Sequence, residues 1–389
     1  MGIKDLNPFL NKRMLRTRSI PLVDFSGRII AIDAHNIMIA QFMVANKVVA
    51  RFTQVDKFEL DKKAILNKWS SLCLDIVVNF FTHGVTPVFV FDGKHPPEKA
   101  ETQNKRKQQR EADREEARKL QAELSSMSLL DRNKDKIERL RQLLSRSNYL
   151  EKEDIQGLKN LFEELGIPIL QAVGEAEELC ASLAYEGLVS AVYSTDTDNL
   201  VYGCPLVITD IGEFYRNEKT DQMMRKATCV ALVDVLKALK WNQETFIDFC
   251  ITLGCDFNQR IKGLGPETAY KLIDEYGKIE SFPDKYNTEL LKYERCREIF
   301  EHRKPQHVVE EDVLDVKPER LQVNKKLLSL GCHEFLKETH FGDVSFYKMN
   351  LLNTCLNLPE VAKDGKFELI TKKKVVIKKI PKVEESISV

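Results

Sequence analysis

Apolar residues along the chain follow two rhythms. Three short runs rich in β-branched and aromatic side chains, "RIIAIDAH" (28–35), "TPVFVFDGK" (86–94) and "SAVYSTDTD" (190–198), lack polar alternation, which predicts strands buried on both faces. Helical spacing fills the stretches between them, and that alternation predicts an α/β fold with a largely parallel central sheet covered by helices on both faces. Within "GIPILQAVGEAEELCASLAYEG" (166–187) a short strand leads into a helix that opens on Glu175 and Glu177. From "ATCVALVDVLKALKWNQETFIDFCITLGCDF" (227–257) to "KLIDEYG" (271–277) the pattern reads as helical.

Between Lys94 and about Asp154 the texture changes to a highly charged run of good helix formers, thin in large apolar residues, which predicts solvated helices outside the core. Beyond about Arg320 a further helical region precedes a lysine-rich tail, "KFELITKKKVVIKKIPK" (366–382), expected to be solvated, with "KKVVIKKI" open to an edge-strand reading.

Length and charge narrow the class only a little. A chain of 389 residues can build one large domain with a satellite, or two domains. With 59 basic and 59 acidic residues the formal net charge is zero, so only the distribution of charge can point to a polyanionic partner. Nine scattered cysteines without a C-x-x-C pair suggest neither a disulfide framework nor a zinc site; they are expected to be reduced core thiols of an intracellular protein. No run of about 18 apolar residues predicts a membrane span, and "MGIKDLNPFL" lacks the pattern of a signal peptide. Gly2 is not in a myristoylation context, because position 6 is Leu.

Ligands of open parallel sheets bind outside the carboxyl ends of the strands, where this chain places Asp33, Asp92, Asp196 and Asp198. Each acid alone has a bland explanation: Asp after a strand forms turns and caps, and Glu175 and Glu177 in a first helical turn complement the helix dipole. Together with Asp256, at the end of "ITLGCDF", the set is harder to dismiss. Converging carboxylates repel and raise one another's pKa unless cations neutralise them. With oxygen ligands only, and neither His nor Cys, Mg²⁺ or Mn²⁺ is the expected ion. Two such ions about 3.5–4 Å apart are a recurring device for phosphodiester hydrolysis.

"RIKGLGPETAYKLI" (260–273) brackets a tight turn with Gly263 and Gly265 and sets Pro266 in the first turn of a helix. Backbone N–H groups there can receive a phosphate, with Lys262 beside them.

In order and spacing, "MGIKDL", "AIDA", "VFVFDGKHPPEK", "GEAEELCASLA", "STDTDNL" and "CITLGCDFNQRIKGLGPETAYKLI" resemble the flap endonuclease branch of the structure-specific 5′ nuclease (XPG/Rad2-type) superfamily, over about residues 1–300. The resemblance implies a Mg²⁺-dependent enzyme that cleaves branched or 5′-flap DNA near the junction of single strand and duplex. It assigns the family's metal-site acids to Asp33, Asp92, Glu175, Glu177, Asp196, Asp198 and Asp256. Catalytic roles fall on Gly2, at the family's Met-Gly-Ile start, and on Lys99 and Arg106, the basic arch residues that engage the scissile phosphate. Lys99 and Arg106 can equally be a solvated helix face, and His95 looks like an inserted residue.

Further implications are organisational. Residues 1–93 form an N-terminal nuclease region, 94–154 a helical arch that passes the 5′ strand, 155–320 an internal nuclease region, and 321–389 the C-terminal helical region with its tail. A helix-two-turn-helix element at about 245–275, with a bound K⁺, holds a duplex arm through Lys262, Gly263 and Gly265. About 80 residues separate Asp92 from Glu175, enough for an arch and too few for the long insertion of the excision-repair relatives. The family's stacking Tyr is replaced by Ala40, and Asp5 stands where "MGIxGL" has glycine. The tail has no Gln-x-x-aliphatic-x-x-aromatic-aromatic box, which leaves a sliding-clamp partner without its usual peptide. A monomer in the nucleus, or at a viral replication site for a viral chain, is the expected setting. A processive 5′ to 3′ exonuclease and a bubble or junction nuclease are the alternatives inside the superfamily. Outside it stand a non-catalytic DNA-binding scaffold and Asp-x-Asp folds of the topoisomerase-primase or phosphatase kind.

Overall fold

Strands β1 (Arg18–Pro21), β2 (Ile29–Asp33), β3 (Thr86–Phe91), β4 (Ile169–Gln171), β5 (Ala191–Tyr193), β6 (Leu206–Arg216) and β7 (Met223–Ala231) join in one sheet in the order β1-β7-β6-β5-β2-β3-β4. The computed structural model describes residues 2–13, 18–53, 60–128, 131–165, 167–216 and 223–301. The expectations for 321–389, tail included, lie outside them. Pairs β2–β3, β2–β5, β3–β4 and β5–β6 are parallel, whereas β6–β7 and β1–β7 are antiparallel. The sheet is thus largely parallel, with an antiparallel flank.

Strand residues alternate strictly between two cores. Ile30, Ile32, Phe89, Phe91, Tyr193 and Ile208 pack on one face, and Ala31, Val90, Val192 and Val207 on the other. On the first face lie α2 (Ala34–Phe52), α3 (Lys62–Thr82) and α6 (Lys152–Glu164); on the second lie α1 (Leu6–Lys12), α7 (Ala176–Tyr185) and α10 (Gln243–Leu253). Phe80, Phe89 and Phe91 are fully enclosed, and burial of each contributes roughly 2–3 kcal/mol. By length and composition α3 could cross a membrane, yet its Ile65, Trp69, Cys73, Val77 and Phe80 are buried in the core.

The remaining helices are α4 (Ala100–Ser126), α5 (Lys134–Ser147), α8 (Asp198–Val201), α9 (Leu232–Leu239), α11 (Pro266–Tyr276) and α12 (Tyr293–Glu301). Two expectations are corrected here. The charged segment is not excluded from the core: α4 and α5 form a hairpin whose Ala117, Leu124, Leu140, Leu143 and Leu144 are buried and continuous with the α2–α3 core. A few leucines at helical spacing suffice to dock a helix that is otherwise charged. Residues 227–231 are not helical but end β7, since Ala227, Cys229 and Ala231 are small enough for a buried strand that pairs with β6. All seven described cysteines are free and buried, as expected of core thiols.

Candidate active site

Each acid is aimed by the local structure that carries it. Asp33 ends β2 and caps α2, its Oδ1 accepting from the Asn36 amide at 3.1 Å while Oδ2 accepts from the Ser194 hydroxyl at 2.9 Å. Asp92 follows β3, and its Oδ1 accepts from the Ala176 amide at 2.8 Å, at the first turn of α7. This docking needs Gly93, where a Cβ would lie 2.1 Å from the Ala172 carbonyl oxygen as the loops after β3 and β4 pair through Gly93 N and Gly174 O. Glu175 is the N-cap of α7 and Glu177 lies in its first turn. Asp196 lies between β5 and α8, and Asp198 opens α8. Asp256 lies just beyond α10, past a left-handed Gly254 at φ 98°.

Asp92, Glu175 and Glu177 offer oxygen atoms that all lie within 4.8 Å of one another, close enough to share an ion. Asp196, Asp198 and Asp256 form a second lobe, in which Asp198 feels the charge of both neighbours. Asp33 faces both lobes, through Asp92 on one side and Asp196 on the other. Ser194 also spans them, since its hydroxyl accepts from the Asp196 amide at 3.1 Å. Burial and then Asp92 push Asp33 up to about 7. Glu177 and Asp198 are raised well above the ordinary carboxylate range, chiefly by burial and then by neighbouring carboxylates. Asp196 is raised by burial as well, and its Oδ1 is a buried atom with no hydrogen-bond partner among the described residues.

Two basic side chains balance part of this charge. Lys99 donates to Oε2 of Glu175, and Arg106 Nη2 reaches both oxygens of Asp256, at 2.9 and 2.8 Å. Burial alone would lower the Lys99 pKa, but Glu177 and Glu175 outweigh it and the ammonium is held above its usual range. Thr102, one turn before Arg106, donates to the Asp256 carbonyl at 3.1 Å, so the start of α4 is fastened over the cluster.

Gly2 lies against the second lobe. Its φ is 88°, and a Cβ there would fall 1.8 Å from Asp196 Oδ1 and 2.4 Å from Asp198 Oδ1, so only glycine fits. The next amide, Ile3 N, donates to Asp198 Oδ1 at 2.6 Å. Asp5 has φ 58°, a left-handed conformation that favours glycine and that Asp tolerates better than most residues. Its carboxylate meets Arg260 at 2.7 Å, which ties the chain start to the turn after α10. Together with Glu98, Glu101, Lys105 and Arg106 at and just before the start of α4, these elements line a half-open cavity of about 950 Å³.

The group that could share an ion is made of carboxylates alone, as expected, but two histidines contact its members. His95 Nδ1–H donates to Glu175 Oε1 at 2.8 Å, and His35 Nδ1 lies 3.5 Å from Asp92 Oδ2. Burial lowers the His35 pKa more than the facing Asp92 raises it. Neither His could be found from spacing, because a lone histidine after a strand or in a first helical turn carries no pattern.

Away from the acids, α10 and α11 flank the turn that carries Lys262, Gly263 and Gly265. Gly263 has φ 82° and needs glycine; Gly265 caps α11 at an ordinary φ of −87° with no atom near a Cβ, so nothing internal requires glycine there. No side chain caps α11, and Lys262 is exposed beside it. Ala40 occupies a half-buried position of α2.

Sequence comparison accounts for this arrangement. The XPG N-terminal domain profile matches residues 1–113, and the XPG I-region profile matches 166–256. Proteins named flap endonuclease 1 from Entamoeba dispar and Entamoeba histolytica are each 33% identical over 350 residues, covering 88% of this chain and 85% of theirs. The chain belongs to the flap endonuclease branch of the XPG/Rad2 superfamily. As a member of this family of structure-specific 5′ nucleases it is a phosphodiester-hydrolysing enzyme. The fold agrees: flap endonuclease-1 from Methanococcus jannaschii superposes with TM-score 0.52 at 24% identity, over 88% of this chain and 96% of that one. The catalytic core of Rad2 solved in complex with DNA substrate superposes with TM-score 0.54 at 18% identity, over 91% and 100%.

Proposed function

We propose that this flap endonuclease relative incises branched DNA carrying a 5′ single strand, close to the junction, with Mg²⁺ as its ion and Mn²⁺ as a substitute. The observation that carries the proposal is the convergence of Asp33, Asp92, Glu175, Glu177, Asp196, Asp198 and Asp256 at one rim of the sheet, faced by Lys99 and Arg106. The donor set fits a divalent cation: Asp33, Glu175, Asp196 and Asp198 are buried and the other three acids half-buried, several are raised above the ordinary carboxylate range, and Asp196 Oδ1 has no hydrogen-bond partner among the described residues. Asp92, Glu175, Glu177 and Asp33 would hold one ion, and Asp196, Asp198 and Asp256 another. Such ions, when bound, activate the attacking water and stabilise the leaving oxygen.

The chain's own residues supply the rest. Lys99 and Arg106 exchange their carboxylate partners for the scissile phosphate and neutralise the charge that develops on it. Gly2 leaves room beside Asp196 and Asp198. Lys262 and the Gly263 turn receive the backbone of a duplex arm, so backbone charge and bending rather than base contacts set specificity.

Cleavage of labelled 5′-flap DNA with and without Mg²⁺ tests the proposal. Flap-sized products that require the ion are expected, and Asp92→Ala should abolish them while DNA is still bound. Turnover in that variant would sink the assignment. Product lengths on flap, nicked, blunt and four-way-junction substrates separate flap cleavage from exonuclease or junction activity.

A further inference from the structure

We infer that Ser194 is a positioning residue for the nuclease: by bonding to Asp33 on one side and to the Asp196 amide on the other, its hydroxyl sets the spacing of the two acidic lobes. The inference rests on the metal-dependent reading above and deepens it, since it makes an uncharged side chain responsible for assembling both ion-holding lobes.

The sheet brings the partners together. β2 and β5 are parallel neighbours whose last paired residues are Ile32 and Tyr193, so Asp33 and Ser194 follow side by side at the carboxyl edge. The Ser194 backbone is fixed there by its amide, which donates to the Ile208 carbonyl of β6 at 3.0 Å. A carboxylate can only accept, and an amide N–H can only donate. The Ser194 hydrogen is therefore committed to Asp33 Oδ2, at 2.9 Å, and an oxygen lone pair to the Asp196 N–H, at 3.1 Å. Both bonds have one possible direction, which makes the bridge specific.

Neighbouring contacts close the junction. The Asn36 amide holds the other Asp33 oxygen, Oδ1, at 3.1 Å. The Asn36 side-chain oxygen accepts from the Thr195 amide at 3.1 Å and from the Thr195 hydroxyl at 2.7 Å. Asp33 thus cannot turn without disturbing residues 194–196, which carry Asp196 into the second lobe. Asp33, Asn36, Ser194 and Asp196 are all buried, and Ser194 is fully enclosed, so the bridge is screened from bulk water. Loss of the hydroxyl leaves Asp33 Oδ2 and the Asp196 amide to find new partners by moving, because an unpaired buried polar atom is costly. A serine that served packing alone would tolerate an isostere without the hydroxyl; one that positions the acids would not.

Two substitutions of near-equal shape test the inference in the full-length chain: Ser194→Thr keeps the hydroxyl, and Ser194→Val puts a methyl group in its place. With Ser194→Ala beside them, each is read by calorimetric titration with Mg²⁺ alone, filter binding of 5′-flap DNA in chelator, and single-turnover cleavage at saturating Mg²⁺. All readings are taken well below thermal unfolding of the variant. Ser194→Ala and Ser194→Val should weaken Mg²⁺ binding and slow cleavage, each by about 10–100-fold, the size usual for loss of a group that orients metal ligands. Ser194→Thr should stay near wild type, and DNA binding in chelator should be unchanged in all three. Wild-type Mg²⁺ affinity and cleavage in Ser194→Ala, or equal impairment of the Thr and Val variants, overturns this inference and leaves the metal-dependent reading standing. A wild type that neither binds Mg²⁺ nor cleaves overturns both.

Discussion

Arg106 holds both carboxylate oxygens of Asp256 through a single guanidinium nitrogen, at 2.9 and 2.8 Å. On the other side of the cluster Lys99 holds one oxygen of Glu175, Oε2, while His95 takes the other. Both cations therefore occupy carboxylates assigned to metal ions, and a bound ion has to compete with them.

Arg106→Ala and Lys99→Ala are each expected to slow single-turnover cleavage of 5′-flap DNA by about 10²–10³-fold, the size typical of removing one group that stabilises transition-state charge. The same variants should bind Mn²⁺ more tightly, because an internal competitor has gone. Rapid quench reads the first effect and calorimetry the second; weaker Mn²⁺ binding would mean that the cations build the metal site rather than mask it.

The raised carboxylates predict a pH dependence of stability. A carboxyl whose pKa is higher folded than unfolded binds more protons in the native state, so its stabilising contribution is full below the unfolded pKa and is lost as pH rises through the folded one. Asp33, moving from 3.8 to about 7, sets the window, and Glu177 and Asp198 shift in the same direction. At ~1.4 kcal/mol per unit, Asp33 alone accounts for roughly 4 kcal/mol. In chelator-treated protein, Tm should fall between about pH 4 and 7, and Mg²⁺ should restore most at the neutral end. A Tm that rises across this window without metal would contradict the assigned burial of charge.

How much of this was legible before the structure depends on the kind of signal. The strands that end on Asp33 and Asp92 announce themselves as unbroken apolar runs, because a parallel strand buried on both faces has no polar position. Asp196 and Asp198 could be placed at the same rim for the same reason, although β5 itself spans only Ala191–Tyr193. The antiparallel β6–β7 flank escaped, since "ATCVA" passes into a helix without a turn residue between them. His35 and His95 were illegible because their significance lies in a contact across sheet and loop, not in any interval along the chain. The leucines of α4 and α5 escaped for want of number: Leu124, Leu140, Leu143 and Leu144 are few among charges, yet all four enter the core shared with α2 and α3.

Gly2→Ala tests the tightness of the second lobe. The new methyl group would fall 1.8 Å from Asp196 Oδ1, at a backbone angle that alanine avoids, so the chain start or the carboxylate must shift. Displacing such groups by about 1 Å commonly costs about 10²-fold. Cleavage should drop by at least that factor while Tm changes little, since residue 2 contributes no side chain to the core. Wild-type rates in this variant would show that the Asp196–Asp198 lobe is not used.

The turn between α10 and α11 can be separated from the chemistry by salt. Lys262 is exposed, next to a helix start that no side chain caps. If it meets a phosphate of the duplex arm, Lys262→Ala should weaken binding of every branched substrate alike. The slope of log K against log salt should also become shallower by about one. Gly263→Ala should weaken binding through a different cause, because its φ of 82° costs alanine about 1–2 kcal/mol and moves the backbone amides. Here the salt slope should stay nearly unchanged, since no charge is lost. Filter-binding titrations from low to moderate salt, with a 5′-flap DNA and its nicked counterpart, distinguish the two. An unaltered slope for Lys262→Ala would remove this turn from the DNA interface, whereas single-turnover rates at saturating enzyme should be near wild type in both variants if the turn only holds the duplex.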